Sequence, residues 1–257
     1  MIIDANVHLS RWPFRRLAGD ETPDLVARLR KRDVVQAWAG SFDGILHKDM
    51  GGVNARLEAE CRTHGRNFLV PFGSINPKLP GWQEDLRRCA EEYKMPGIRL
   101  HPNYHGYGIT DPVFADLLHI AAGHRLIVQM VLSMEDIRTQ HPLMRVPPVD
   151  ISGLPKVLES EPAARVMLLN WTPAIRAQSL QSFVDRGVLF DIAMVEGIEG
   201  VTRLLERIPP ERVLFGSHSP FFYFEAALLK MKESGLPEDL QRGVLEGNAR
   251  RLLQRNG

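Results

Sequence analysis

The sequence predicts an α/β protein, a single (β/α)8 or TIM barrel, and three observations support this prediction. The chain has 257 residues, close to the ~250 residues that are typical of this barrel. Eight short apolar runs recur along it, and a segment with helical periodicity follows each run. The runs are continuously apolar, as expected when helices cover the outer face of a parallel sheet. We therefore expect one domain over residues 1–257.

The elements follow one another in strict alternation. Each predicted strand is rich in β-branched or aliphatic residues and is bounded by Gly, Pro or Asn, and each predicted helix has an amphipathic pattern. A doubly wound sheet is the alternative, but no G-x-G-x-x-G or P-loop motif supports nucleotide binding there. The predicted strands cover residues 2–8, 34–40, 68–75, 97–101, 125–132, 165–170, 188–193 and 212–217. The predicted helices cover residues 23–31, 53–64, 82–93, 112–122, 152–160, 173–185, 198–207, 224–233 and 238–253.

Composition and charge limit the classes of partner and compartment that we expect for this chain. Lys and Arg number 32 against 31 Asp and Glu, so a nucleic acid or an acidic membrane is not an expected partner. Two cysteines within predicted helices argue against a disulfide scaffold and for a reducing compartment. No signal peptide or membrane span is evident, and we expect a cytoplasmic protein. The expected partner is a small-molecule substrate, with a second copy of the chain as an open alternative.

Candidate site residues are the polar side chains that end the apolar runs, because barrel enzymes build their sites at the carboxyl ends of the strands. Asn76, Asn103 and Asp191 also suit helix capping or hydrogen bonding across the barrel mouth. His101 has a pocket-lining position at the end of the fourth predicted strand. The full set is Asn6, His8, Ser41, Asp43, Asn76, Arg99, His101, Asn103, Gln129, Asn170, Asp191 and His218.

Long loops after three of the predicted strands have the position to shape a pocket over this end of the barrel. They cover residues 10–22, 41–52 and 134–155, and adjacent prolines in the last one prevent a continuous helix. The first loop carries Arg11 and Arg15 among aromatic residues. Guanidinium groups match carboxylates well, so these arginines suit an anionic substrate; the alternative is a solvated loop whose aromatic residues cover the barrel rim or a subunit contact.

Four motifs occur in a fixed order along the chain: Ile-Asp-Ala-Asn-Val-His at 3–8, Gly-Ile-Arg-Leu-His-Pro-Asn-Tyr-His-Gly-Tyr at 97–107, Leu-Phe-Gly-Ser-His-Ser-Pro-Phe at 214–221 and Gly-Asn-Ala-Arg-Arg-Leu-Leu at 247–253. In this order they resemble the amidohydrolase superfamily, and specifically the amidohydrolase-related branch that includes hydrolases and non-oxidative decarboxylases. The resemblance covers nearly the whole chain and implies the same barrel fold.

The chain departs from that family at the metal-ligand positions. The family usually has His-x-His on the first strand, a His ending the fifth and the sixth, and an Asp on the eighth. At these places the chain has Asn6, Gln129, Asn170 and His218, and only His8 is of the usual type. A divalent metal such as zinc, held by His8 and His218 with amide oxygens or waters, should bind weakly, because amides are neutral ligands.

The resemblance therefore leads to a specific hypothesis about the site. His8 and His218, with His101, form the acid and base set; Asn6, Gln129 and Asn170 hydrogen-bond the substrate; and Arg99 or Arg11 binds its carboxylate. The leading expectation is a hydrolase that cleaves a C–N or C–O bond in a small carboxylated substrate with an altered or absent metal centre. A decarboxylase or lyase of the same branch is one alternative, and a catalytically silent binding or scaffold barrel is the other.

Overall fold

The computed structural model describes residues 1–172 and 177–254, and it confirms the predicted barrel. Eight strands form one sheet in chain order, and each strand is parallel to the next. Such pairing needs a crossover helix between successive strands, which the alternating sequence provides. The strands are β1 (Ile2–Leu9), β2 (Val34–Ser41), β3 (Leu69–Ser74), β4 (Gly97–Leu100), β5 (Ile127–Val131), β6 (Arg165–Leu169), β7 (Leu189–Asp191) and β8 (Val213–Leu214).

The helices lie between the strands, largely as predicted. The predicted helix at 238–253 is interrupted: a π-helical turn at Gly243–Gly247 separates two helices, and Asn248 donates its side-chain amide to the carbonyl oxygens of Pro210 and Val213. The predicted start at residue 173 lies outside the described residues. The helices are α1 (Thr22–Arg30), α2 (Met50–Gly65), α3 (Trp82–Glu91), α4 (Pro102–His105), α5 (Pro112–Gly123), α6 (Leu154–Ser160), α7 (Ala177–Asp185), α8 (Gly200–Leu205), α9 (Phe224–Glu233), α10 (Glu238–Arg242) and α11 (Asn248–Gln254).

Two apolar layers stabilise the barrel. The inner layer fills its interior and contains Trp38, Phe72, Ile127 and Met167, whereas the outer layer packs the strands against the helices. The burial of each large side chain of this kind stabilises the folded protein by roughly 1.5–3 kcal/mol. No helix among the described residues is both long enough and apolar enough to cross a bilayer.

A shift in register places the polar end of β1 inside the barrel. The pairing of β1 with β2 is irregular between Asp4 and Val7, and bulges of this kind redirect side chains. Ala5 belongs to the inner layer, and Asn6 directly after it also contacts side chains from the neighbouring strand ends. The shift therefore brings Asn6, and with it His8, to the mouth of the barrel.

The barrel closes where β1 meets the segment after β8. The ladder of β8 with β7 ends at Leu214, earlier than predicted, but the following residues continue along β1. The amide of Ala5 donates to Phe215 O at 2.9 Å, and the amide of His8 donates to Ser219 O at 2.8 Å. The buried carboxylate of Asp4 accepts from the amide and the hydroxyl of Ser217. The buried carboxylate of Asp4 thus joins the two ends of the sheet.

We predict that Asp4→Asn changes how stability depends on pH. Burial raises the pKa of Asp4 to about 7, so the folded protein binds more protons than the unfolded chain between the two pKa values. The stability contributed by Asp4 is therefore present below the unfolded pKa and is lost as the pH rises through 7. Urea titrations measure the free energy of unfolding. The value for D4N relative to wild type should rise by about 2 kcal/mol from about pH 5 to about pH 8. Asp116→Asn on exposed α5 is the control, and an equal difference at both pH values contradicts the prediction.

Candidate active site

Three histidines meet at the carboxyl ends of β1, β4 and β8, as predicted. The ring centroids of His8 and His218 lie 5.2 Å apart, and those of His8 and His101 lie 6.4 Å apart. None of the three side chains has measurable solvent exposure. We call these three residues the histidine cluster.

Aromatic side chains cover the histidine cluster. Phe42 stacks on His8 with a centroid distance of 4.8 Å, and Phe221 stacks on His218 at 5.0 Å. Burial lowers the pKa of His218 to about 4 and lowers the pKa of His8 well below its usual value. Burial also lowers the pKa of His101. The cluster is therefore neutral near pH 7 and shielded from bulk solvent.

Hydrogen-bond partners fix the tautomers of two of these rings. Arg99 Nη1 lies 3.3 Å from His8 Nε2, and a guanidinium only donates, so the proton of neutral His8 is on Nδ1. The Met134 carbonyl lies 2.9 Å from His218 Nε2 and only accepts, so Nε2 carries the proton of His218. His8 Nδ1 and both ring nitrogens of His101 are buried without a partner. The cluster therefore contains unsatisfied polar atoms.

Arg99 lies below the histidine cluster in the barrel interior, and this placement corrects its predicted role. Its side chain is fully buried, and it donates to Gln129 Oε1 at 2.9 Å, to Val7 O at 2.7 Å and to Trp38 O at 3.1 Å. With the contacts to His8 and to Ala5 O, each of its five N–H groups faces an acceptor. Burial lowers its pKa to about 9. Arg99 thus positions His8 and has no donor left for a substrate carboxylate.

The three amide side chains predicted to bind substrate bond mainly to protein groups. Gln129 donates to Ala5 O at 2.9 Å. Asn6 Nδ2 donates to Asn170 Oδ1 at 2.8 Å and to Asp191 Oδ2 at 2.7 Å, which leaves Asn6 Oδ1 unpaired. Asp191 also accepts a hydrogen bond from the backbone N–H of Asn170. Burial raises the pKa of Asp191 to about 6. Asp191 thus hydrogen-bonds across the barrel mouth and orients Asn6.

Two site residues have left-handed backbone conformations. The φ angle is 58° at Asn170 and 59° at His218, a region that costs energy for residues other than glycine but that Asn, Asp and His tolerate best. Asn170 directly follows β6, and His218 lies four residues after β8. The amide Nδ2 of Asn170 lies 3.4 Å from the ring nitrogens of His218.

The two loop arginines have different positions. Arg11 is 57% exposed and pairs with Glu21, so the structure does not bring it to the histidine cluster. Arg15 Nη1 lies 2.8 Å from Glu135 Oε2, and its guanidinium lies 5.1 Å from the centre of the Phe221 ring. Sequence reasoning did not identify Glu135, and its signal is weak, because it lies within an irregular loop rather than at a strand end.

An open cleft of about 640 Å³ adjoins the histidine cluster. Its floor includes Ser133, Asn170 and Phe222, and the irregular loop after β5 forms one wall. Residues 132–153 contain no helix or strand, as the prolines predicted. Because Asn170 and Phe222 contact His218, this cleft is the nearest described approach to the site.

The residues at the predicted metal position do not fit a divalent ion. Among the described residues, no group of three or more His, Cys, Asp or Glu side chains could hold a metal. The Arg99 guanidinium beside His8 places a positive charge where a cation would bind. The nearby carboxylates of Asp4 and Asp191 are already hydrogen-bonded by protein groups. We therefore derive no chemistry through a metal held by His8 and His218.

Solved structures with the same fold include three enzymes. The first is 2,6-dihydroxybenzoate decarboxylase from Rhizobium, at 11% identity and a TM-score of 0.75, covering 100% of this chain and 98% of that chain. The second is dihydroxybenzoic acid decarboxylase from Polaromonas, with bound manganese and the inhibitor 2-nitroresorcinol, at 12% identity, a TM-score of 0.74 and coverage of 100% and 97%. The third is 4-oxalomesaconate hydratase from Rhodopseudomonas palustris, at 16% identity, a TM-score of 0.71 and coverage of 99% and 96%.

A comparison with curated protein sequences gives no match. A sequence model of the amidohydrolase family, in contrast, matches residues 3–189 and 149–255, which together span nearly the whole chain. The matched ranges include β1 with His8, β4 with His101 and the segment after β8 with His218. The chain belongs to the amidohydrolase family.

Proposed function

We propose that this chain is a non-oxidative decarboxylase that acts on a small aromatic carboxylic acid through histidine acid–base chemistry. The observation that carries the proposal is the histidine cluster itself, in which three ring nitrogens of His8 and His101 are buried without partners. Buried polar atoms normally have partners, so a ligand that supplies them fits this site. Two decarboxylases and a hydratase among the solved structures of the same fold support a lyase.

His8 is the group that would bind the substrate carboxylate. Its Nδ1–H is an unpaired donor because Arg99 occupies the other ring nitrogen. A carboxylate placed beside the cluster adds a negative charge, which raises the pKa of the neighbouring imidazoles and favours uptake of a proton. Phe42 and Phe221 stack on His8 and His218, so an aromatic substrate ring would enter surroundings that are already aromatic.

His101 is the group that would supply the proton. The bond between the ring carbon and the carboxylate breaks, its electron pair stays on the ring carbon, and CO2 leaves. The same carbon takes a proton from the imidazolium of His101, which returns to its neutral form. The next substrate carboxylate to bind is again accompanied by uptake of one proton from solvent, which regenerates the imidazolium. His101 suits this role because neither of its nitrogens is held by another protein group.

The burial of the cluster favours decarboxylation over the hydrolysis that the sequence predicts. Hydrolysis requires an activated water, but His218 donates to Met134 O and its ring packs against Phe221 and Phe222. Decarboxylation requires no water, and it converts a carboxylate, which an apolar site solvates poorly, into neutral CO2. The meeting of three histidines from distant parts of the chain also favours a working site over a silent barrel.

The first test is turnover without added metal. We expect protein dialysed against EDTA to release CO2 from hydroxybenzoic acids and, in D2O, to place one deuterium on the product ring carbon. Mass spectrometry and CO2 detection measure both events. Hydrolysis of a lactone or amide panel without CO2 release supports the hydrolase instead, and inactivity towards every panel, with and without added Mn2+, supports the silent barrel.

The second test concerns His101. His101→Asn should lower kcat by about 10²-fold or more, with KM little changed, because proton delivery contributes about that much. Added imidazole should restore part of the activity. Circular dichroism establishes that the variant folds, because the buried ring of His101 contacts His8 and His105. His119→Asn on the exposed surface of α5 is the matched control; equal kcat in the two variants removes His101 from the mechanism.

The third test is the pH dependence of carboxylate binding. Burial lowers the pKa values of the cluster histidines in the free protein, and a bound anion raises them, so binding takes up protons. Benzoate affinity should therefore increase as the pH falls, by up to about tenfold per pH unit for each proton, between about pH 8 and about pH 6. Calorimetry in buffers of different ionisation enthalpy measures the proton uptake directly. A pH-independent affinity without proton uptake contradicts the assignment.

A further inference from the structure

We infer that the cleft beside the histidine cluster binds the part of the substrate opposite the reacting carboxylate, and that it accepts an uncharged or cationic group but excludes a second carboxylate. This inference rests on the proposed function, because it takes the histidine cluster as the position of the reacting carboxylate. It adds a substrate class, the aromatic monocarboxylates, to the proposed reaction. The geometry of the cleft floor, its size and its charge each support a part of this inference.

The floor of the cleft is shared with the histidine cluster. Asn170 lines the cleft, and its Nδ2 lies 3.4 Å from the ring nitrogens of His218. The same amide donates to Ser133 O at 2.7 Å, and Ser133 also lines the cleft. Phe222 completes the floor, with its ring centroid 5.1 Å from that of His218. One amide and one phenyl ring therefore contact both the cleft and His218.

The cleft is large enough for a substantial substituent. Its volume of about 640 Å³ lies within the range of about 300–1,000 Å³ that is usual for small-molecule sites. Its walls include apolar side chains from two strand ends and from the loop after β5, among them Leu132, Ile137, Val149 and Met194. A substrate whose carboxylate lies at the cluster can therefore place an apolar para substituent in the cleft.

The charge of the cleft determines which substituents fit. Among the described residues, the charged side chains that line it are the carboxylates of Glu135, Asp136 and Glu196, and Asp136 also pairs with the exposed Arg138. Glu135 is the most constrained of the three, because only 3% of its side chain is exposed and Arg15 holds it in place. A carboxylate only accepts hydrogen bonds, so these groups can pair with an ammonium or a hydroxyl group. A second substrate carboxylate would face like charges at close range in a partly buried site.

Three benzoates that differ only at the para position test the inference. They are p-isopropylbenzoate, p-(aminomethyl)benzoate and terephthalate, which carry a neutral, a cationic and an anionic group. Titration of the full-length protein, followed by its tryptophan fluorescence and confirmed by calorimetry, gives the dissociation constants. We expect terephthalate to bind at least about tenfold more weakly than either of the others.

Two charge-reversal variants assign the discrimination to the cleft. Glu196→Lys places a cation on the exposed edge of the cleft and should reduce the preference against terephthalate by about threefold or more. Glu211→Lys makes the same change in net charge beside the start of β8, at the opposite end of the barrel, and should leave the preference unchanged. Both side chains are exposed, so neither change should affect folding.

The outcomes separate this inference from the proposed function. Equal affinity for all three benzoates, with the expected increase in affinity at lower pH, overturns the cleft assignment and leaves the decarboxylase proposal standing. The absence of binding by all three overturns the proposed function itself. An equal effect of the two lysine variants also overturns the cleft assignment, because it indicates a response to net charge alone.

Discussion

The site depends on one constraint, the need to satisfy a guanidinium that is buried in the barrel interior. A charge with no access to water is tolerated only when all its donors are bonded, and Arg99 meets this condition with backbone carbonyl oxygens of β1 and β2, with Gln129 and with His8. Those bonds fix the position of β1 relative to its neighbours. They also select the tautomer of His8, so a structural requirement of the core determines which nitrogen of the histidine cluster is a donor.

The closure of the barrel and the assembly of the site are the same event. His218 reaches His8 only because the segment after β8 pairs with β1, and Asp4 and Ser217 contribute to that pairing. On the other side of the mouth, Asp191 holds Asn6, and Asn6 in turn contacts Asn170. The polar ring is thus a connected network in which each strand end constrains the next. This explains why the amides at the family's metal positions serve as structural links rather than as loose ligands.

Much of the fold could be predicted from the sequence, because alternating apolar runs and amphipathic segments directly encode a parallel barrel. The positions of His8, His101 and His218 at the ends of apolar runs also predicted that these residues lie close together. The position of Arg99 was misread, although Arg99 and His101 at i and i+2 share a face and the earlier residue must lie deeper. Arg11 was misplaced because loop conformation has no comparable periodicity. The interruption before α11 depends on bonds from Asn248 to residues distant in sequence, which no local pattern reveals.

The left-handed backbone at His218 bears on how the chemistry of this family can diverge. Only a few residue types tolerate that conformation at low cost, and they include Asp, which the family usually has at this position, as well as His. An exchange between a carboxylate and an imidazole can therefore occur there without any movement of the main chain, whereas a β-branched residue would force a rearrangement. The left-handed backbone thus limits which residue types can replace one another at position 218. It allows the chemical group to change while the backbone geometry that positions this group stays the same.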